Sequence, residues 1–187
     1  MVKDVKTKEK EVFEALKDKF NYKNLHEAPR VEKVVISTGV GSLNDKNKMK
    51  LIPEKMAMIT GQKPATQLAK KSIAQFKVRE GQISGYRATL RGKMAYSFLD
   101  KLIHVALPRT RDFRGLSLES VDDMNNYTFG IKENTIFPET SEEELKNVFG
   151  MSVTVVTSAK SKEECLALLK YIGLPFKEQI DTEQTHC

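Results

Sequence analysis

Apolar and polar positions alternate along the chain in two distinct rhythms. Val5, Val12, Phe13, Leu16 and Phe20 fall near helical spacing among many charges, which predicts an amphipathic helix over Val2 to Phe20. After Pro29, the run Val31 to Val40 is rich in β-branched residues (Val31, Val34, Val35, Ile36) and ends at Gly39 and Gly41, which predicts a strand. Asn44 to Thr60 reads as a second helix that kinks or restarts at Pro53, followed by a turn at Gly61-Gln62-Lys63-Pro64. Ala65 to Ser72 and Ile83 to Arg91 read as a strand pair. The polar loop Gln75 to Gln82 between them, with a glycine at its tip, is placed to project from the body. Phe98, Leu99, Leu102, Ile103 and Ala106 form one stripe of a helix from Met94 to Leu107, stopped by Pro108. An irregular stretch, Asp112 to Asn126, leads to strands at Tyr127 to Ile131 and Met151 to Thr157. Ser161 with Glu164 forms a capping box for a last helix that ends at Gly173, before Pro175. Helices and strands mix without βαβ regularity. The fold class is therefore α+β: an antiparallel sheet with helices packed on one face, a two-layer sandwich whose other sheet face is free to meet a partner.

A chain of 187 residues with 40% hydrophobic residues suits one domain, taken as residues 1–178, with 179–187 a polar tail expected to be disordered. No stretch has the roughly 18 consecutive apolar residues of a membrane span, and the charged start Met1-Val2-Lys3-Asp4-Val5-Lys6 does not read as a secretory signal. Cys165 and Cys187 make neither a metal spacing nor a disulfide framework, which fits a reducing cytoplasm. The formal net charge is +6, but its distribution is more informative. Residues 63–114 hold twelve Lys or Arg against three acids, a net of +9, and residues 115–150 hold eight acids against two bases, a net of −6. A basic middle followed by an acidic segment suggests two partner surfaces, the basic one suited to a phosphate backbone. Charge alone leaves an uneven solvated surface as an equal alternative.

The sequence does not carry an enzyme's motifs. His26, His104 and His186 are scattered, and there is no Gly-x-x-x-x-Gly-Lys-Ser/Thr loop, Gly-x-Gly-x-x-Gly turn or His-Glu-x-x-His helix. Gly39-Val40-Gly41 is read as a strand exit rather than a phosphate cradle, and Glu142, Glu143 and Glu144 as a solvated helix start or a surface for a basic partner. No cofactor and no metal are expected. The basic residues are more specific. Lys63, Lys70, Lys71, Arg87, Arg91 and Lys93 flank or sit on the strand pair, and strand alternation projects Arg87, Thr89 and Arg91 together. Bases and hydroxyls on one open face suit phosphate and ribose. The three arginines of Pro108-Arg109-Thr110-Arg111-Asp112-Phe113-Arg114-Gly115 fit salt bridges to Asp112 and nearby acids as well as they fit RNA, and the loop Lys77 to Gln82 is equally compatible with a solvated hairpin.

Several segments in order resemble one known family. They are Ala28-Pro29-Arg30-Val31-Glu32-Lys33; Gly61-Gln62-Lys63-Pro64; Ala69-Lys70-Lys71-Ser72-Ile73-Ala74; Phe76-Lys77-Val78-Arg79; Thr89-Leu90-Arg91-Gly92; Pro108 to Leu116; Ile136-Phe137-Pro138-Glu139; and Leu174-Pro175-Phe176. Over roughly residues 5–178 the chain resembles bacterial large-subunit ribosomal protein L-five.

The resemblance implies a structural constituent of the large ribosomal subunit, cytoplasmic and on the ribosome, that binds 5S ribosomal RNA in the central protuberance beside large-subunit ribosomal RNA and neighbouring ribosomal proteins. The implied 5S-binding residues are Ser37, Gln62, Lys63, Lys70, Lys71, Thr89 and Arg91. A loop carrying Lys77, Arg79, Gly81 and Gln82 would approach P-site transfer RNA. An acidic stretch at Glu139, Glu142, Glu143 and Glu144 would bridge to the basic small-subunit head protein S-thirteen, a placement that rests on charge complementarity. No membrane contact is implied. Two segments depart from the family pattern. Ser37-Thr38-Gly39-Val40-Gly41 stands for Asn-Met-Gly-Val-Gly. Asp122-Asp123-Met124-Asn125-Asn126-Tyr127 stands for Asp-Gly-Arg-Gly-Asn-Tyr, which loses an arginine and two glycines and puts that loop's path in question. Two other readings stay in view: a free RNA chaperone using the same surface off the ribosome, and a nuclease using clustered carboxylates and a metal, which the placement of most acids outside the basic region opposes.

Overall fold

In the computed structural model, which describes residues 4–41, 46–76, 78–141 and 148–177, period-two burial organises the molecule. Lys77, Glu142, Glu143, Glu144 and the whole tail 179–187, with His186 and Cys187, lie outside the described residues. Among the described residues, five strands form one sheet: β1 (Val31–Gly39), β2 (Ala65–Leu68), β3 (Ile83–Arg91), β4 (Tyr127–Ile131) and β5 (Met151–Thr157), in the order β2-β3-β1-β5-β4. Every pairing is antiparallel. One face buries Val34, Ile36 and Thr38 of β1, Tyr86, Ala88 and Leu90 of β3, Val153 and Val155 of β5, and Tyr127, Phe129 and Ile131 of β4. Among the described residues, four helices supply the other layer of that core: α1 (Val5–Phe20), α2 (Lys46–Thr60), α3 (Lys93–Lys101) and α4 (Lys162–Ile172). The expected α+β sandwich with an uncovered sheet face is thus the observed architecture. Among the described residues, no helix is long and apolar enough to cross a membrane.

Proline shapes two helices in different ways. α2 neither kinks to a stop nor restarts at Pro53; it runs through it. Pro53 has no N–H for the carbonyl four residues back, Met49. The Tyr86 hydroxyl donates to that carbonyl at 2.8 Å, so the freed acceptor is satisfied from β3. The predicted helix Met94 to Leu107 is not one regular helix. After α3, residues Leu102–Ala106 widen into a π-helical turn, in which the Leu107 N–H reaches the Leu102 carbonyl, and Leu107–Arg109 close as a 3-10 turn containing Pro108. A wider turn gives the Pro108 ring room over the preceding carbonyls. The apolar stripe still faces the core, with Phe98, Leu99, Leu102, Ile103 and Ala106 all buried.

Two further expectations need correction. β2 stops at Leu68 rather than Ser72, at a register shift between Gln67 and Leu68. At α4, Ser161 Oγ accepts from the Glu164 N–H at 3.2 Å, but the Glu164 carboxylate accepts from Lys160 N at 2.8 Å, so only half of a capping box forms. A complete box occurs instead at Asn24 and Glu27. Tyr127 is fully buried and donates its hydroxyl to the Ser117 carbonyl at 2.7 Å. Burial pushes its phenol up to about 12.

Two glycines face each other at the Gly39–Gly85 pair. A Cβ on Gly85 would sit 2.5 Å from the Thr38 carbonyl oxygen, whereas one on Gly39 meets nothing within 4 Å. Gly85→Ala is expected to lose about 1–3 kcal/mol of unfolding free energy through overpacking. Gly39→Ala should be neutral or gain up to about 1 kcal/mol by narrowing the unfolded ensemble. Urea melts of both variants decide it, and equal losses would refute the assignment. The Tyr86–Met49 bond makes a second prediction. Tyr86→Phe should cost about 1 kcal/mol by orphaning the carbonyl. In a Pro53→Ala background that cost should nearly vanish, because alanine restores the N–H that proline lacks, and a double-mutant cycle without such coupling would reject this account.

Candidate nucleic-acid interface

Because paired residues of an antiparallel sheet share a face, the register reads out the open surface row by row. One row runs Arg91, Lys33, Val156 across β3, β1 and β5. The next runs Thr89, Val35, Thr154, Thr128. A third runs Ala65, Arg87, Ser37, Ser152, Gly130, and a fourth Gln67, Gly85, Gly39. Extending the β2–β3 register brings Lys63, which precedes β2 and is exposed, alongside Thr89. Cations therefore gather at the β2–β3–β1 side and hydroxyls continue towards β4.

The hydroxyls are preset by one another. Ser37 Oγ and Ser152 Oγ lie 2.8 Å apart, and Thr128 Oγ1 and Thr154 Oγ1 2.9 Å apart. Each pair consumes one proton and leaves a second hydroxyl proton and lone pairs for an incoming group. Ser37, standing where the family has an amide, is half-buried and already engaged with Ser152. Its neighbour Thr38 points into the core and donates to the Gly150 carbonyl at 2.7 Å, tying β1 to the entry of β5.

Among the expected residues, Ser37, Thr89, Arg91 and, by register, Lys63 come together on the open face. Gln62 lies in the turn after α2, where the Thr60 hydroxyl donates to its carbonyl at 2.9 Å. Lys70 and Lys71 are elsewhere, beyond the end of β2, on an arm they share with Arg79, Gly81 and Gln82. The arm is an ordered extension of the hairpin. Ala69 N donates to Gln82 O at 2.8 Å, Gly81 N to Ala69 O at 3.0 Å, and Ile73 and Val78 exchange bonds of 3.0 and 3.3 Å. Gly81 (φ +78) is therefore near the base of the arm, not its tip; the tip is formed around the 3-10 turn Ala74–Phe76. Lys33 and the hydroxyls of Ser152, Thr154 and Thr128 were not among the expected residues. The alternation Lys33-Val35-Ser37, and the same rhythm in Met151 to Thr157, is the signal that identifies them.

The remaining charged segments sit apart from this face. Among the described residues, Arg109, Arg111 and Arg114 have no ion-pair partner, so the salt bridge to Asp112 does not form. Arg111 and Arg114 line a cleft of about 610 Å³ with Lys132 and Lys177. Gly115 (φ +93) is held there against Phe176, where a Cβ would meet backbone atoms at 2.6–2.8 Å. Glu139 is bound by Lys101 at 2.6 Å, and the same ammonium donates to the Ile59 carbonyl at 2.7 Å in the last turn of α2. The loop that lacks the family's glycines closes all the same. Asn125 takes the left-handed conformation (φ 59), which asparagine tolerates better than most residues. Asp122 accepts from Asn126 N at 2.7 Å and Met124 N at 3.0 Å, bonds that hold its carboxyl below the usual range. Met124, in the place of the arginine, is 76% exposed.

Comparison with known proteins gives a consistent result along the chain. A family model described as "Ribosomal protein L5" matches residues 24–79, and a second model, for the C-terminus of the same ribosomal family, matches residues 83–176. The chain is 47% identical over 169 residues to the large ribosomal subunit protein uL5 of Halothermothrix orenii, covering 90% of this chain and 94% of that protein. It is 50% identical over 169 residues to the large ribosomal subunit protein uL5 of Clostridium botulinum, with the same coverage of each. The boundary between the two family models falls within the β2–β3 arm, between strands that pair in one sheet, and both halves point the same way: the chain belongs to the ribosomal protein L5 family.

Proposed function

We propose that the chain holds 5S ribosomal RNA in the central protuberance through the open face of its sheet, with residues 1–178 acting as one cytoplasmic domain. As a member of its family it is a structural constituent of the large ribosomal subunit and not an enzyme. The observation that carries the reading is the set of rows Arg91–Lys33, Thr89–Thr154–Thr128 and Arg87–Ser37–Ser152 on a sheet face not covered by helices. At about 4.8 Å per strand the five strands span roughly 19 Å. Such a surface matches an RNA duplex by shape: cations meet phosphates at its edge, and hydroxyls meet ribose 2′-OH groups in the shallow groove. Gln62 and Lys63 extend it at one end of β2, and Lys70 and Lys71 at the other. Neighbouring ribosomal RNA and proteins complete the surroundings. The loop segment that carries Lys77, Arg79, Gly81 and Gln82 in the sequence would approach P-site transfer RNA. The acidic stretch of sequence at Glu139, Glu142, Glu143 and Glu144 would meet the small-subunit head protein S-thirteen.

Titration of 5S RNA against a length-matched control RNA across a salt series tests the face. Arg87→Ala and Arg91→Ala should each lower the salt slope by about one, as expected for one lost phosphate contact. Arg91→Glu should reduce 5S affinity at least ten-fold. Equal binding of both RNAs would leave a generic basic patch. Loss of binding only with Lys70→Glu and Lys71→Glu would move the site from the face to the arm.

The bridge is tested by reversing Glu142, Glu143 and Glu144 to lysine. Subunit joining, read by sedimentation, should weaken while 5S binding is unchanged. Glu139 is a poorer probe, because its reversal also sets a lysine beside Lys101. Unchanged joining would remove the acidic stretch from the bridge.

A further inference from the structure

The cleft beside β4 holds positive charge that its own walls do not neutralise. Arg111, Arg114, Lys132 and Lys177 line it, around a volume of about 610 Å³. None of the four has an ion-pair partner among the described residues. Asp112 and Glu133 line the same cleft and offset only two of them, so a net charge of +2 remains. Between the cations the lining is apolar and includes Phe113, half-buried, and Ile131. An occupant with carboxylates and an aliphatic side chain suits both parts. The chain itself carries such a segment at this place. Leu116 N donates to Pro175 O at 2.9 Å and Lys177 N to Leu116 O at 2.9 Å, so the arginine loop is stapled to the strand that ends at Lys177, the last described residue. Residue 178 therefore follows from the rim of the cleft. The sequence after Lys177 is Glu178-Gln179-Ile180-Asp181-Thr182-Glu183-Gln184-Thr185-His186-Cys187, with three acids, no lysine or arginine and one aliphatic residue, and it lies beyond the residues that the family model matches. Ten extended residues reach about 33 Å, more than enough to cross a cleft of that volume. So short a tether holds the acids at an effective concentration of order millimolar, at which individually weak, exposed ion pairs suffice. A free phosphate or a separate acidic chain would meet the same cations without the tether, and that difference favours the tail.

We propose that residues 178–187 fold back into this cleft, with Glu178, Asp181 and Glu183 pairing with its cations and Ile180 meeting its apolar lining. The inference goes beyond the reading of the sheet face and does not rest on it. The test uses the full chain, isotope-labelled for amide resonances, with a nitroxide attached at Cys187; Cys165 is fully buried in the core. Amides of residues 110–116 and 131–133 should be broadened by the nitroxide more than those of the arm or of the sheet face. Glu178→Gln, Asp181→Asn and Glu183→Gln should each reduce the docking equilibrium about two- to five-fold, the range of one exposed ion pair. The three together should bring the broadening down to the level reached by the parent in 1 M salt, where the Debye length is about 3 Å. These variants leave every residue of the cleft in place. Arg111→Glu with Arg114→Glu should abolish the broadening, and adding Glu178→Lys and Asp181→Lys should restore it. Broadening of the cleft that is indifferent to salt and to the triple neutralisation would reflect the tether alone and overturn the proposal. Broadening centred on the arm or the sheet face would overturn it as well. Equal broadening in a mixture of nitroxide-bearing chains without isotope and isotope-labelled chains without nitroxide would give the cleft to the tail of a second copy, and that too would overturn it.

Discussion

Strand β1 is hydrogen-bonded on both edges, and its register decides which side chains reach solvent. A slip of one residue against either neighbour would exchange its two faces, putting Lys33 and Ser37 in the core and Val34 and Ile36 in water. Two local features oppose that slip. Gly85 passes so close to the Thr38 carbonyl that no other residue fits in register, and the Thr38 hydroxyl is committed to the Gly150 carbonyl. The apolar alternation does the rest, since each fully buried Val or Ile contributes about 1.5–3 kcal/mol relative to exposure. The open face is thus a by-product of core packing: the residues that face out are held in rows because their neighbours face in.

The regular strands were legible because their sequence alternates, and the fold class followed from them. What was not legible depended on partners distant in sequence. Pro53 in isolation argues for a broken helix; only Tyr86, supplied by β3, makes an unbroken one tolerable. The end of β2 was misplaced because Ala69 to Ser72 is as polar as a strand edge, and the register shift between Gln67 and Leu68 leaves no compositional mark. Gly81 suggested a tip because glycine permits tight turns, yet its positive φ serves a bulge beside Ala69 near the base of the arm. Of the residues on the open face, Arg87, Thr89 and Arg91 are grouped by alternation on one strand. Alternation likewise marks which side of their own strands Lys33, Ser152 and Thr154 occupy, but that they form rows with β3 depends on which strands lie side by side, which local pattern does not contain.

The family departures show how a loop keeps its path after losing its enabling residues. Glycine gives a left-handed turn without steric cost, and asparagine is among the side chains that tolerate it best. Asn125 takes that conformation, and it is further held by its Nδ2 donating to Ala159 O at 3.2 Å and by its carbonyl accepting from Thr157 Oγ1 at 2.7 Å. Asp122 gathers the N–H groups of Met124 and Asn126, and Asp123 pairs with Lys162 at 2.9 Å. The loop is therefore closed by side-chain bonds where the family pattern has backbone freedom. The missing arginine is the change without compensation, for Met124 brings neither charge nor a polar atom suited to RNA or to an acidic partner.

Charge along the chain divides into a basic middle and an acidic segment, but in space the basic residues divide again. Lys33, Arg87 and Arg91 lie on the sheet face, Lys70, Lys71 and Arg79 on the arm, and Arg111 and Arg114 beside Lys132 and Lys177. The rows of the face have a fixed geometry that depends on the core beneath them. The arm is ordered by its own ladder beyond the core, so its side chains can be exchanged at little cost to the fold. A chain built this way keeps the rows of the sheet fixed by the core while the side chains of the arm remain free to vary.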